Sequence, residues 1–311
     1  MPGKLRTRHF LSMDDLSPSE VGLVLSEASR MKAAHKAGRG EPVLAGKVLA
    51  MIFQKPSTRT RVSFEVAMRH LGGSAIYLSG NDIQLSRGET IPDTAKVLSR
   101  YVDGIMARVF GHGDVEELAR HSACPVINGL SDLTHPCQIL ADLLTMQEKL
   151  GKLDGLRVTY VGDGNNVTHS ILLGCAKVGA HVAVGSPKGY EPLAKVVARA
   201  AEVAKETGGS VRVVNDPVEA CRHADVIYTD TWASMGQEKE HDLRVKAFKG
   251  YQVNQDLLLV ASPQVIVMHC LPAHRGEEIS SDVMDGPHSV VWDEAENRLH
   301  AQKAVLTLLM G

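Results

Sequence analysis

Val48-Leu49-Ala50-Met51-Ile52-Phe53-Gln54-Lys55-Pro56-Ser57-Thr58-Arg59-Thr60-Arg61-Val62-Ser63-Phe64-Glu65-Val66-Ala67-Met68 reads as a strand, a turn and a helix in succession. Val48 to Phe53 is apolar without alternation, as in a parallel strand buried on both faces. Val62 to Met68 reads as a helix. Hydroxyls and two guanidiniums therefore crowd one strand-to-helix turn, Lys55 to Arg61. A helix N-terminus carries unpaired N–H groups and the positive end of the macrodipole, so it favours anions. Arginine adds a planar fork that fits phosphate oxygens. Each charge-assisted bond is worth roughly 1.5–3 kcal/mol, so three or four would hold a phosphate. The same residues also suit an ordinary Ser or Thr helix cap followed by solvated arginines.

Upstream, Ser17-Pro18-Ser19-Glu20 has a capping Ser, Pro at the first helical position and Glu at the third. Val21, Val24, Leu25, Ala28 and Met31 follow at helical spacing. Gly38, Gly40 and Pro42 then break the chain. Downstream, strands are expected at Ser74–Leu78, Gly104–Val109 and Pro125–Leu130, and helices at Pro92–Tyr101, Asp114–His121 and His135–Leu150. The polar loop from Gly80 to Gly88 is long for a strand-to-helix connection, and such loops are often functional. Gly151 to Gly155 reads as a hinge. A second alternation follows, with strands at Leu156–Val161, His181–Gly185, Val211–Val214, Val226–Thr229, Val265–His269 and Val290–Trp292. A closing helix is expected from about Glu294 to Met310. Alternation of this kind predicts an α/β protein of two doubly wound domains, each a mainly parallel sheet with helices on both faces. Ligands in such sheets bind beyond the carboxyl ends of the strands.

The bulk composition agrees with that size. A chain of 311 residues exceeds one ordinary core and suits two domains. Apolar residues make up 44% and charged residues 23%, as in a globular protein. The net charge of −2 gives no basic excess for nucleic acid. No stretch approaches the roughly 18 consecutive apolar residues of a membrane span, and Met1 to Phe10 lacks the apolar core of a signal peptide. The five cysteines (124, 137, 175, 221 and 270) are scattered, with no Cys-x-x-Cys pair. That pattern predicts a reducing, cytoplasmic location and neither a disulfide framework nor a zinc site.

Gly162-Asp163-Gly164-Asn165-Asn166-Val167 follows a strand and invites a dinucleotide reading. The third glycine is missing, and the next strand ends Gly185-Ser186-Pro187 without the acidic residue that would hold a ribose. The turn either delivers Asn165 or Asn166 to a ligand or is a tight turn with an Asn cap. Other strand ends carry chemistry. Arg108 closes an apolar run, where a guanidinium is costly unless paired or liganded. His135-Pro136-Cys137-Gln138 places an imidazole and an amide at a helix start; a Gln amide both donates and accepts and can read an –NH2 group. Asp230-Thr231-Trp232-Ala233-Ser234-Met235-Gly236 offers a carboxylate for a cation, and His269-Cys270-Leu271-Pro272 a thiol that is either a nucleophile or inert packing. The histidines lack metal-ligand spacing and read as hydrogen-bonding groups.

Taken together, the Ser57–Arg61, His135–Gln138, Asp230–Gly236 and His269–Pro272 motifs resemble those of the ornithine carbamoyltransferases, within the aspartate/ornithine carbamoyltransferase family. The resemblance runs nearly end to end, as far as Glu296-Asn297-Arg298. It implies transfer of the carbamoyl group of carbamoyl phosphate to the δ-amine of L-ornithine, with citrulline and phosphate as products. It implies a carbamoyl phosphate domain over residues 1–150 and an ornithine domain over 151–311, with the closing helix packed back on the first. Carbamoyl phosphate would be held by Ser57, Thr58, Arg59, Thr60, Gln84, Arg108, His135, Gln138, Cys270, Leu271 and Arg298. Ornithine would be held by Asn166, Asp230, Ser234 and Met235. Arg108, His135, Asp230 and Cys270 are the expected catalytic group. No cofactor, metal, nucleic acid or membrane is implied. A homotrimer or a multiple of trimers is, with Gln84 reaching a neighbouring subunit's substrate.

Overall fold

The computed structural model describes residues 3–233 and 238–311. The chain forms two compact units, one of residues up to Leu144 with Asn297–Gly311, the other Thr145–Glu296. The first carries α1 (Pro18–Lys36), β1 (Val48–Phe53), α2 (Thr58–His70), β2 (Ser74–Ser79), α3 (Ile91–Leu98), β3 (Gly104–Arg108), α4 (His112–His121) and β4 (Val126–Leu130), and the start of α5 (Pro136–Leu150). The second carries β5 (Arg157–Val161), α6 (Asn166–Lys177), β6 (His181–Gly185), α7 (Ala194–Thr207), β7 (Ser210–Val214), α8 (Pro217–Cys221) and β8 (Val226–Thr229). It continues through α9 (His241–Ala247), α10 (Gln255–Leu259), β9 (Ile266–His269) and α11 (Ser281–Met284) to the start of α12 (Val291–Met310).

Local chemistry sets the helix starts. Ser17 caps α1 in a capping box with Glu20, and Pro18 fills the first position. Ser57 caps α2, accepting from Thr60 N–H at 3.3 Å. Asn165 caps α6 through Val167 N–H at 2.9 Å and Thr168 N–H at 3.2 Å. Each such cap contributes about 1 kcal/mol.

The first sheet is parallel with order β2-β1-β3-β4, and the second is parallel with order β7-β6-β5-β8-β9. β3 is buried at every position and β1 at all but its first. Successive residues serve opposite faces: Ala50 and Ile52 join Ala95, Val115 and Leu118 in one core cluster, while Leu49 faces Met310 across Gly104. Each buried Leu or Ile contributes roughly 1.5–3 kcal/mol.

Topology fixes where ligands meet these sheets. In the first, the chain steps from β1 out to β2, then returns to place β3 on the other side of β1. In the second it steps from β5 through β6 to β7, then returns to place β8 beside β5. The reversals lie between β1 and β3 and between β5 and β8, so a crevice opens at the carboxyl end of each pair.

One expectation needs correction. Val290–Trp292 is not a strand. Ser289 makes one isolated bridge to Val267 and Val290 N–H donates to the Val267 carbonyl at 3.0 Å, after which α12 begins at Val291. Asp293 and Glu294 in its first turn favour the helix N-terminus, and three apolar residues are too few to separate strand from helix. The chain passes from one compact unit to the other within α5, between Leu144 and Thr145. Gly151 and Gly155 follow that helix and take positive φ, 75° and 69°, in the turn from α5 to β5.

Candidate active site

On the first unit, the β1-to-α2 turn is both a cap and a cluster of donors. Ser57 Oγ donates to Thr60 Oγ1 at 3.2 Å, and Arg298 Nη2 donates to the same oxygen at 2.8 Å. Thr60 is fully buried and Arg298 nearly so. Arg298 is thus tied to the first turn of α2 from more than two hundred positions away in sequence. Arg59 is half-buried, and its Nε has no hydrogen-bond partner among the described residues. Arg61 does not join it: Nε donates to Glu65 at 2.9 Å and the guanidinium lies 3.9 Å from the Tyr77 ring centre. The turn's second guanidinium is a surface pair.

β3 ends in a register shift. Ala107 pairs with Asn128, but Arg108 pairs with Leu130. Such an irregularity re-aims a side chain at a strand end, and Arg108 is 8% exposed. His135 precedes α5 and is 4% exposed. Burial and then the charges of Arg298, Arg108 and Arg59 hold its imidazole well below the usual histidine value. The ring is neutral at pH 7 and is bracketed by three guanidiniums. Gln138 Nε2 donates to Asp142 Oδ1 at 2.8 Å. A carboxylate only accepts, so the amide nitrogen must face Asp142, and Oε1 is turned elsewhere as an acceptor. Thr58 is exposed in the first helical turn. Gln84 is exposed at the start of the 3₁₀ turn Gln84–Arg87, with no side-chain hydrogen bond among the described residues.

On the second unit, Asp230 follows β8 and is 7% exposed. Its Oδ2 accepts from Asn165 Nδ2 at 2.9 Å and its Oδ1 from Cys270 Sγ at 3.1 Å. Asn165 is thus the cap that one of the two sequence readings expects, through its oxygen, and its amide also holds Asp230. Asn166 opens α6 beside it, half-buried. Ser234 and Met235 lie outside the described residues. Gly164 is explained by packing rather than by a cofactor. A Cβ there would sit 2.1 Å from Pro192 N and 2.3 Å from the Glu191 carbonyl carbon.

The sequence reading missed three groups in this cluster. Asp163 pairs with Arg244 Nη1 at 2.9 Å, and Arg244 also donates to the Trp232 carbonyl at 2.9 Å. Burial pushes Asp163 up to about 6, against the pull of Arg244. Burial and then the charge of Asp230 push the Tyr160 phenol well up. Asp163 was legible only as the residue between two glycines, and Arg244 only as one more charge on a short helix.

Asp230, His269 and Cys270 each bring one ligand-type atom to within 4.8 Å of the others. His269 is nevertheless committed elsewhere. Its Nδ1 accepts from Leu271 N–H at 2.9 Å, so Nε2 carries the proton that goes to Glu278 Oε1 at 3.0 Å. Leu271 is held at φ 61° and offers its carbonyl rather than its N–H. Cys270 is half-buried, and its thiol donates to the Asp230 carboxylate.

One unit thus presents guanidiniums, hydroxyls and helix N–H groups at its strand ends, and the other presents carboxylates. Residues 8–148 match the family described as aspartate/ornithine carbamoyltransferase, carbamoyl-P binding domain, and residues 154–309 match its Asp/Orn binding domain. The chain belongs to the aspartate/ornithine carbamoyltransferase family. Among its relatives, the ornithine carbamoyltransferase of Pyrococcus abyssi is 60% identical over 307 residues, 99% of this chain and 97% of the relative. The anabolic ornithine carbamoyltransferase of Pyrococcus furiosus is 59% identical over 99% of this chain and 98% of its own length. The solved Pyrococcus furiosus ornithine carbamoyltransferase superposes with a TM-score of 0.96 at 59% identity, covering 99% and 98% of the two chains. That from Thermus thermophilus gives 0.88 at 43% identity, covering 98% and 99%.

The environment of His135 sets a pH dependence. In the unfolded chain the ring titrates near 6.5, while the folded ring stays neutral well below that. Below this value the unfolded state binds a proton that the folded state refuses. The stability tied to the neutral ring is complete above about pH 6.5 and falls by up to about 1.4 kcal/mol per pH unit below it. The difference in urea unfolding free energy between the protein and its His135→Gln variant should therefore shrink from pH 7 toward about pH 5. A difference independent of pH contradicts a neutral His135.

Proposed function

We propose that the protein transfers the carbamoyl group of carbamoyl phosphate to the δ-amine of L-ornithine, giving L-citrulline and phosphate. The observation that carries this reading is the grouping of Arg59, Arg108 and Arg298 around a neutral, buried His135 beside Thr60, in a chain of this family. In this reading Ser57, Thr58, Arg59, Arg298 and the α2 N–H groups bind the phosphate. Thr60, Arg108 and His135 polarise the carbamoyl C=O. A neutral imidazole donates one hydrogen bond there without adding a fourth positive charge. Gln138 Oε1 accepts from the carbamoyl –NH2. Asp230 and Asn166, with Ser234 and Met235, take ornithine, and Cys270 and Leu271 lie at the reacting end.

The amine attacks the carbamoyl carbon and phosphate leaves. Charge building on the carbonyl oxygen meets fixed donors, which is the largest expected source of rate; positioning of two substrates supplies another. An alkylammonium titrates near about 10.4, so freeing the amine at neutral pH costs roughly 4 kcal/mol. Asp230 attracts the ammonium and adds to that cost. The thiol of Cys270 holds Asp230 in place in this reading, and no covalent intermediate is required.

We also infer a cytoplasmic homotrimer, or a multiple of trimers, in which Gln84 reaches a neighbour's carbamoyl phosphate. The exposure of Gln84 and five cysteines that form no disulfide among the described residues support it. No helix among the described residues is long and apolar enough to cross a membrane. The word anabolic in one relative's name supports a role in arginine biosynthesis rather than breakdown.

Citrulline-type product should form from carbamoyl phosphate with ornithine, and far less with putrescine, N-acetylornithine or aspartate. A preference for another acceptor overturns the ornithine assignment. Arg108→Ala should lower kcat by about 10²–10³-fold with an unchanged circular dichroism spectrum; an unchanged kcat refutes its role. Sedimentation equilibrium should return three chain masses or a multiple of three, and a monomer refutes the shared site.

A further inference from the structure

The first unit has another cavity, of about 340 Å³, away from the guanidinium cluster. Met31, Ala34 and Leu71, all buried, form an apolar wall. The loop Gly38–Glu41 borders it, entered through Gly38 at φ 68°. Lys303, on α12, lines the same space. It is 6% exposed and makes no hydrogen bond or ion pair among the described residues. A buried ammonium without a partner carries a large desolvation cost.

The charges around the cavity leave it positive. From α1, Arg30 donates to both oxygens of Glu41 at 2.6 Å and to both oxygens of Glu27 at 2.7 and 2.9 Å. Both carboxylates are therefore engaged by one guanidinium. Lys303 and Arg39 remain, with three imidazoles. His35 of α1 stacks on His70 of α2 at 4.5 Å between ring centres and lies 5.9 Å from His300 of α12. The Nδ1 of His70 is buried without a hydrogen-bond partner. Burial and then the charges of His35 and Lys303 hold His70 below the usual histidine value, and burial draws Lys303 below that of lysine. Glu41, the carboxylate of the lining, is engaged by Arg30 and raises Lys303 by less than burial lowers it.

We propose that this cavity is a second ligand site, for a small organic carboxylate whose acid group pairs with Lys303 and whose apolar body rests on Met31, Ala34 and Leu71. The volume lies at the small end of ligand pockets. A single ammonium facing an apolar wall suits a carboxylate better than a phosphate, which favours the forked donors of arginine. The bound carboxylate would favour protonation of His70, so binding tightens as pH falls.

Benzoate is a suitable probe, titrated calorimetrically into the intact protein with inorganic phosphate at saturation to occupy the guanidinium cluster. Saturable binding is expected, stronger at pH 6 than at pH 8. Lys303→Met should weaken it roughly ten- to a hundredfold, the weight of one charge-assisted hydrogen bond. Benzoate should also shift the His35 and His70 ring resonances of the unmutated protein. That measurement decides the matter if Lys303→Met folds poorly. Absence of binding, equal affinity in Lys303→Met, or binding that leaves both histidine rings unmoved overturns the proposal.

Discussion

Positive charge gathered around one neutral imidazole is the constraint on which the first unit depends. Arg59 comes from the first turn of α2, Arg108 from the end of β3 and Arg298 from α12, and all three act on His135. Like charges this close are costly in a low-dielectric interior. Thr60 absorbs part of that cost by accepting from Arg298, and Ser57 fixes Thr60 through the helix cap. A protonated His135 would add a fourth charge, so the same field that suits an anionic substrate keeps the ring neutral. In the proposed function, binding and polarisation would both draw on this one arrangement of charges.

The second unit solves the opposite problem. Asp230 is held by Asn165 and Cys270, while Asp163 is buried against Arg244 and still raised to about 6. Two carboxylates at one switch point suit an amine. The Gly-x-Gly turn that resembles a nucleotide fingerprint serves this end. Gly164 lets the turn pass close to Glu191 and Pro192, and Asn165 both starts α6 and orients Asp230.

Much of this was legible in the sequence, for identifiable reasons. Strands β1, β6 and β8 fall on the expected residues because uninterrupted apolar runs flanked by turn residues admit few other structures. The caps at Ser17, Ser57 and Asn165 were readable because the cap is a local hydrogen bond. The Val290–Trp292 triplet failed because its one ladder contact ends at Val290, and the acidic residues that follow start a helix. Whether the turn's two arginines act together was not legible, because the partners of Arg61, Glu65 and Tyr77, lie on the helix surface and the neighbouring strand. Asp163 and Arg244 escaped notice as a pair because they lie 81 positions apart in sequence; they meet only after folding.

The sequence alone determined the alternation of strands and helices, the polar motifs at the strand ends and the family they resemble, since each depends on residues within a few positions of one another. Only the tertiary structure decided which of those residues act together. The order β2-β1-β3-β4 sets Arg108 beside the β1-to-α2 turn, and α12 returns Arg298 to Thr60. It also decided that His135 is neutral, because that depends on three charges distant in sequence. The Ser57–Arg61 turn could be read in two ways as a string of residues. The structure shows the helix cap, Ser57 Oγ accepting from the Thr60 N–H, and the proposed function adds the anion cradle to the same turn.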